Sequence, residues 1–398
     1  MKAALLIEME ARHVRIPFRF RYGHARKQHV GLEAVVCIAR DEEGRCGYGE
    51  AVPRTYVTGE TCDTVMGMIP RLLEATSIKD ACPRVFQLRR RELADVWKGG
   101  FPSCACCAID IALHDLIARQ NGQSCAAWMD AQSFEPLVYS ASIGISKPAK
   151  LLATLLVYRA LGLKHCKVKV GDAEDIDRIR FIRRVLGRDV ELFADANANW
   201  EREEAIRHIE SLHAHDVWAI EEPLRTTESE QTPLGGLDRF TSLTDEHYED
   251  YRWLRERSPL PLIADESLIC VQSAKRIIAY EAFDILNIRL SKCGGPWMST
   301  SIVELAREAR LRFAFGAMVG ETPILATAGA HFAALHRDHL YVQGFSHRLL
   351  HGQRFAHGEP AICRGGRLEF DNHGHGLSLD VDGERLDALT IRRETFWL

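Results

Sequence analysis

His165-Cys166-Lys167-Val168-Lys169-Val170 opens the stretch whose reading decides the fold, and the chain repeats its logic four more times. Val190 to Ala194 runs into Asp195-Ala196-Asn197, Val217 to Ile220 into Glu221-Glu222-Pro223, and Leu260 to Ala264 into Asp265-Glu266-Ser267. Ile285 to Leu290 leads to Lys292-Cys293-Gly294-Gly295. Each step is a short apolar, strand-like run that closes on charged groups. Between the runs, Asp175 to Leu186, Arg202 to His213, Ser273 to Ala279 and Thr300 to Leu311 read as helices. Strand then helix, repeated about every 25 to 30 residues with one longer step, is the pattern of parallel βα units. Enough of these units close into a (β/α) barrel, whose active sites stand at the C-terminal ends of the strands. Charge at those ends therefore reads as catalytic rather than stabilising.

The acids come first. Neighbouring strands lie about 4.8 Å apart, so Asp195, Glu221 and Asp265, ending three successive strands, are expected to converge. Carboxylates that close cannot all stay ionised without a cation, because like charges raise one another's pKa. All-oxygen ligation with no nearby Cys or His points to a hard ion, Mg²⁺ ahead of Mn²⁺ or Ca²⁺. Three unrelated surface acids are the alternative, and their recurrence on successive units argues against it.

The lysines complete the set. Lys167 and Lys169 are two apart on a strand, so both side chains project to one face. Lys292, read as ending a strand beyond the acids, puts an amine on the other side of a bound substrate. A lysine acts as a base only when neutral, and a second lysine or a divalent cation nearby disfavours its charged form. On this reading Lys167 tunes and Lys169 reacts; solvated strand-end charges are the plainer alternative. Two opposed lysines and a divalent ion suit removal of a proton next to a carboxylate, with the developing charge stabilised by the metal and its neighbours. Return of the proton on the other face gives a racemase or epimerase, and a β leaving group turns the same half-reaction into an elimination.

Taken together, Lys167-x-Lys169, Asp195-Ala-Asn197, Glu221-Glu-Pro223, Asp265-Glu266-Ser267 and Lys292-Cys-Gly-Gly resemble the enolase superfamily, specifically its muconate lactonizing enzyme subgroup. A Lys or His base with one or two Mg²⁺ is a known pattern of that superfamily. The resemblance implies an α/β fold, a modified (β/α)7β barrel with an α+β capping domain formed by the N-terminal region and the C-terminal segment. It divides the chain into residues 1–130 (cap), 131–350 (barrel) and 351–398 (return to the cap). It implies Lys169 and Lys292 as the acid/base pair, Asp195, Glu221 and Asp265 as Mg²⁺ ligands, and Lys167, Asn197 and Glu266 in support. The substrate is expected to be a small carboxylate, and the chain a homo-oligomer, dimer or octamer. Racemisation or epimerisation of an amino acid derivative is the leading reading. Its rivals are syn-dehydration, as in succinylbenzoate synthase relatives, lactone-forming cycloisomerisation, and a barrel that binds carboxylates without turnover.

The N-terminal region reads differently from the barrel. Leu5 to Ile16 and Leu32 to Ala39 alternate as strands, with Asp41-Glu42-Glu43-Gly44 turning into Cys46 to Glu50. Helical patterns follow at about 63–73, 83–97 and 103–120. Two segments read as loops over the barrel mouth: Arg19 to His29, basic and histidine-containing, and Arg54 to Glu60, which carries Tyr56. The barrel is expected to begin at Leu137 to Ile145, where Tyr139, Ser140 and Ser142 offer pocket hydroxyls. After Lys292, Pro296-Trp297-Met298 is bulky, so Trp297 reads either as a pocket wall or as core. The strand Arg312 to Val319 delivers Gly320-Glu321-Thr322, where Glu321 resembles the acid at that strand end in relatives, displaced by one position. The last barrel strand, His339 to Phe345, contains Val342-Gln343-Gly344-Phe345 and no acid. Dipeptide epimerases of the subgroup carry Asp-x-Asp there to hold an ammonium group, so dipeptide epimerisation is disfavoured, and racemisation of an N-blocked or N-alkylated amino acid stays open beside dehydration and cycloisomerisation.

Composition excludes several classes. The 398 residues, 46% hydrophobic, are ample for a barrel and a smaller domain. A formal net charge of -4 gives no sign of nucleic-acid or membrane binding. No apolar run approaches the length of about 18 residues that crosses a bilayer, and Met1-Lys2-Ala3-Ala4-Leu5-Leu6 turns acidic at once, unlike a signal peptide. The expected location is cytoplasmic. Of the twelve cysteines, Cys104, Cys106 and Cys107 cluster without zinc spacing and read as buried thiols. Cys166 and Cys293 read as packing residues, and His213-x-His215 and His373-x-His375 as surface loops.

Overall fold

The computed structural model describes residues 4–24, 27–76, 102–225, 243–369 and 373–398. β1 (Leu6–His24), β2 (Lys27–Asp41) and β3 (Cys46–Ala51) form an antiparallel sheet. The C-terminal strand Thr390–Trp397 pairs with β1, setting Glu8 opposite Trp397, so both ends of the chain share one four-stranded sheet. In the segment Arg19 to His29, expected as a loop, the described residues 19–24 and 27–29 instead form the outer arm of the β1–β2 hairpin, with Tyr22 opposite His29 and His24 opposite Lys27. The reason is visible in Phe18-Arg19-Phe20-Arg21-Tyr22, where aromatic and basic residues alternate with the period of a strand. The expected helix at 83–97 lies outside the described residues.

Helices Cys62–Thr76 and Ser103–Gln120 agree with their sequence pattern. Every residue from Ser103 to Ala118 is buried, because this helix is covered by the sheet on one side and by the barrel on the other. Its small residues let it approach closely. A Cβ added to Gly49 of β3 would sit 1.9 Å from the Ala108 carbonyl oxygen, so only glycine fits there. Cys104, Cys106 and Cys107 are buried free thiols in this packing, and burial raises all three well above the usual thiol range.

The barrel follows. After β4 (Leu137–Val138), the strands β5 (Ser140–Ile143), β6 (His165–Lys169), β7 (Glu191–Asp195), β8 (Val217–Glu221), β9 (Leu262–Ala264), β10 (Ile285–Ile288) and β11 (Arg312–Phe315) form a parallel sheet in chain order. Helices Pro148–Leu161, Asp175–Leu186, Arg202–His213, Asp245–Arg255, Val271–Tyr280 and Pro296–Glu308 alternate with them. The final strand, expected over His339 to Phe345, shrinks to a short crossing at Val342. Gln343 N donates to Phe315 O at 2.8 Å on one side, and Val342 N donates to Val138 O at 2.8 Å on the other, which closes the barrel. Gly344 and Phe345, with φ of 127° and 63°, turn the chain out of extended conformation and end the pairing.

Alternation along each strand builds two layers. Phe193, Ala219, Ile263, Ile285, Ala314 and Tyr341 form an apolar cluster. Two residues further along the same faces stand Asp195, Glu221, Asp265 and Asn287. The apolar floor therefore fixes the height of the charged layer above it.

The cap is pinned to the barrel by buried polar contacts. Arg54 donates to Val319 O at 3.2 Å, and Val52 N to Ser291 Oγ at 2.9 Å. Glu50 accepts from Thr322 N at 2.9 Å, Thr322 Oγ1 at 2.6 Å and Leu325 N at 2.9 Å. Burial pushes the Glu50 carboxyl from 4.5 up to about 7, against these donors. A carboxyl raised on folding adds stability that is complete below its unfolded pKa and is lost as pH rises through the folded one. Unfolding measured against pH should show stability falling between pH 4.5 and about 7, and Glu50→Gln should flatten that slope. An unchanged slope in the variant would remove Glu50 as its source.

Candidate active site

β6 brings Lys167 and Lys169 to the same carboxylate. Lys167 Nζ lies 3.0 Å and Lys169 Nζ 2.6 Å from Asp195 Oδ2. Lys167 also reaches Glu221 Oε1 at 2.9 Å, so it bridges the first two acids. Arg289 performs the same service further along, pairing with Asp265 Oδ2 and standing 3.6 Å from Glu221 Oε1. Lys292 ends the row, donating to Asp265 Oδ1 at 2.9 Å, Asp265 O at 2.6 Å and Asn287 O at 3.0 Å. The three acids, with Lys167 and Lys292, are buried. The order Lys169, Asp195, Glu221, Asp265, Lys292 follows the order of the strands, so the two end lysines are tied to opposite ends of the acid row.

Convergence of the acids on one point is not what the structure shows. Among the described residues, His13, Glu33 and Cys62 alone bring three His, Cys, Asp or Glu ligand atoms within 4.8 Å of one another. The barrel acids stand more open because cationic side chains lie between them. Their donor chemistry nevertheless fits a hard divalent cation. All three are carboxylates, and Glu221 Oε2 is buried without a hydrogen-bond partner.

Electrostatics separates the lysines. Burial works against the Lys167 ammonium, but Asp195 and Glu221 together hold it above the ordinary lysine value. For Lys169 burial wins, with Lys167 pushing the same way against Asp195, and the amine is lowered. Burial brings Lys292 down to about 8, with Arg289 adding to the effect. Asp195 is held well below the usual carboxylate range by Lys167 and Lys169 despite its burial. The two end amines are thus the ones eased toward the neutral form that proton abstraction requires.

Lys292 does not end a strand. β10 stops at Ile288, and Leu290–Cys293 is a single helical turn closed by Gly294 at φ 89°. Asn197, at φ 49°, accepts from Lys169 at 2.8 Å and donates to Glu266 Oε1 at 3.3 Å, joining the Lys169 amine to the Asp265 loop. Burial pushes Glu266 up to about 7, with Glu222 adding to it. Tyr56 is half-buried where Arg54, Arg289 and Glu266 act on its hydroxyl. Tyr139 is otherwise engaged, donating to Gly344 O at 3.0 Å. Glu321 is buried, accepts from Met318 N at 3.0 Å and packs against Gly344; burial, then Glu50, raises its carboxyl well above the usual range. Trp297 sits in the first turn of Pro296–Glu308, a helix that starts earlier than Thr300 because Pro296 suits its first position. Its backbone N donates to Asp110 Oδ2 at 2.8 Å, which places it against the cap helix.

Three residues escaped the sequence reading. Asn287 donates to Glu221 Oε1 at 3.1 Å, and Gly316 leaves it room, since a Cβ there would lie 2.2 Å from Asn287 Oδ1. Arg289 shares Asn287's face by the same period of two that marked Lys167 and Lys169. Glu222, at φ 41°, turns away from Glu221 and organises the next loop. It accepts from Asp265 N at 2.8 Å, Ser267 N at 3.2 Å and Tyr251 Oη at 3.0 Å, and from Ser267 Oγ.

A closed barrel with paired amines and acids at its strand ends is the arrangement against which the comparisons stand. Residues 151–233 and 242–385 match the family described as enolase C-terminal domain-like, and the chain belongs to that family, the enolase superfamily, on its muconate lactonizing enzyme side. It is 29% identical over 309 residues to the hydrophobic dipeptide epimerase of Enterococcus faecalis, covering 77% of this chain and 80% of that one. That enzyme's structure, complexed with Mg and the dipeptide L-Leu-L-Tyr, superposes with a TM-score of 0.80 at 22% identity, covering 95% and 99% of the two chains. The N-succinyl-L-Arg/Lys racemase of Bacillus cereus is 24% identical over 387 residues, 95% of each chain, and its structure gives a TM-score of 0.84 at 21% identity over 98% and 100%. Muconate lactonizing enzyme from Pseudomonas fluorescens, complexed with muconolactone, shares the fold with a TM-score of 0.83 at 22% identity over 98% and 100%. These relatives are isomerases.

Removing Glu222 tests the loop it holds. Glu222→Ala removes the acceptor of four buried hydrogen bonds, two of them from the backbone N–H of Asp265 and Ser267, and should cost on the order of 3 kcal/mol or more in urea unfolding, against about 1 kcal/mol for Tyr251→Phe. Equal losses in the two variants would contradict this account.

Proposed function

We propose that the chain is a Mg²⁺-dependent racemase or epimerase of an amino acid derivative, with Lys169 and Lys292 as its acid/base pair. The observation that carries this reading is the attachment of the two eased amines to opposite ends of one acid row. Asp195, Glu221 and Asp265 would hold the cation. When bound, it supplies positive charge to the carboxylate oxygens of the substrate as the α-carbon loses its proton. Mn²⁺ is the expected substitute.

Lys169 takes the proton from one face, and Lys292 delivers one to the other. The reverse reaction exchanges their roles. Lys167 keeps its charge between Asp195 and Glu221, so the nearest ammonium to Lys169 disfavours a second positive charge there. Asn197 aims the Lys169 amine by accepting one of its protons.

The residues 1–130 would form the cap, 131–350 the barrel and 351–398 the return, with Arg54 and Tyr56 closing over the substrate. A nitrogen-blocked substrate such as an N-acyl amino acid suits the last strand. Val342 to Phe345 contains no acid, and the Glu321 carboxyl beside Gly344 is favoured neutral, a poor partner for an ammonium group. The match over 95% of the N-succinyl-L-Arg/Lys racemase supports that class.

In D₂O with Mg²⁺, N-acyl amino acids should return with deuterium at the α-carbon and with inverted hand. Net formation of an alkene or lactone without washed-in deuterium would instead establish elimination or cycloisomerisation. Lys169→Ala and Lys292→Ala should each lower racemisation by at least about 10²-fold, the lower range of general acid–base catalysis. Full turnover in either variant would refute the pairing. Chelation of divalent ions should abolish exchange, and Mg²⁺ should restore it.

A further inference from the structure

We propose that His13, Glu33 and Cys62 form a second metal site, in the cap, for a transition-metal dication such as Zn²⁺. One ligand atom from each lies within 4.8 Å of the other two, a span slightly above twice the about 2.0–2.3 Å of zinc–ligand bonds. The sheet register explains the meeting. His13 on β1 faces Val35 and Arg15 faces Glu33, so His13 and Glu33 are near neighbours on one side of the sheet. Helix Cys62–Thr76 packs on that side and presents its first residue to them.

The second observation is the histidine itself. His13 is 7% exposed, and its Nε2 is buried without a hydrogen bond. That atom stands 3.4 Å from Glu33 Oε2. Arg15 takes the other oxygen, with Nη2 2.7 Å from Glu33 Oε1, which leaves Oε2 turned toward the imidazole. A buried nitrogen left without a bond in such company suits a metal ligand.

Sulfur, nitrogen and oxygen donors together select a borderline transition metal and not Mg²⁺, and three protein ligands leave one coordination position open. A cysteine binds a metal as its thiolate, so binding near neutral pH must release the Cys62 proton. Cys62 directly follows the turn that carries Arg54 and Tyr56. A metal there would tie β1 and β2 to the end of the turn that reaches the barrel mouth.

The test is a calorimetric titration of the full chain with Zn²⁺ in saturating Mg²⁺, repeated in buffers of different ionisation enthalpy. One Zn²⁺ per chain, with proton release, is expected. Cys62→Ser and His13→Gln should each weaken it by at least about a hundredfold, beyond what loss of an outer partner costs, whereas Asp265→Asn should leave it. Absence of Zn²⁺ binding, binding untouched by the two cap substitutions, or loss in Asp265→Asn would overturn the proposal. Should a cap variant not fold, Co²⁺ added to the unmutated chain decides the matter. A thiolate charge-transfer band supports the site, and a spectrum without one overturns it.

Discussion

Buried carboxylates repel one another unless positive charge stands between them, and this constraint organises the mouth of the barrel. Asp195, Glu221 and Asp265 are delivered to one height by three adjacent strands, over an apolar floor that excludes water from below. Lys167 and Arg289 lie in the gaps, each shared between two acids. With Lys167 and Arg289 filling the inner positions, the outer amines, Lys169 and Lys292, are the ones driven toward neutrality by burial. Support of the row and reactivity at its ends thus follow from one arrangement.

The cap contributes by contact with the barrel loops. Glu50 holds the start of Pro323–Leu335, Val52 meets Ser291 beside Lys292, and Arg54 reaches Val319. Asp110 on the buried cap helix fixes the backbone of Trp297, two residues after the glycines that release the Lys292 turn. The C-terminal strand pairs with β1, so the cap sheet draws on the N-terminal and the C-terminal segments together. Glu222 plays the matching part within the barrel, fixing the loop that carries Asp265.

Much of this was legible in the sequence. Charge at the ends of apolar runs, repeated in register with helices, pointed to a barrel and to its mouth, and the family match agrees with the fold so read. What escaped did so for identifiable reasons. Asn287 and Arg289 lie inside what reads as one strand ending at Leu290, so the one-turn helix that carries Lys292 was invisible. Glu222 was masked by its neighbour Glu221, since a positive φ, and not composition, sends the two side chains apart. Arg19 to His29 reads as a loop when its basic residues are weighed above the alternation beneath them, and that alternation is what the hairpin arm follows. Convergence of the acids was expected from strand spacing alone, which takes no account of the cations between them. His13, Glu33 and Cys62 come from three distant segments, and no spacing rule connects them.

The central claim is that one amine serves each face of the substrate, and exchange of the two enantiomers taken separately tests it most directly. In D₂O with Mg²⁺, Lys169→Ala should retain α-proton exchange for one hand of an N-acyl amino acid and Lys292→Ala for the opposite hand. Exchange surviving for the same hand in both variants would place the two amines on a common face and contradict the account.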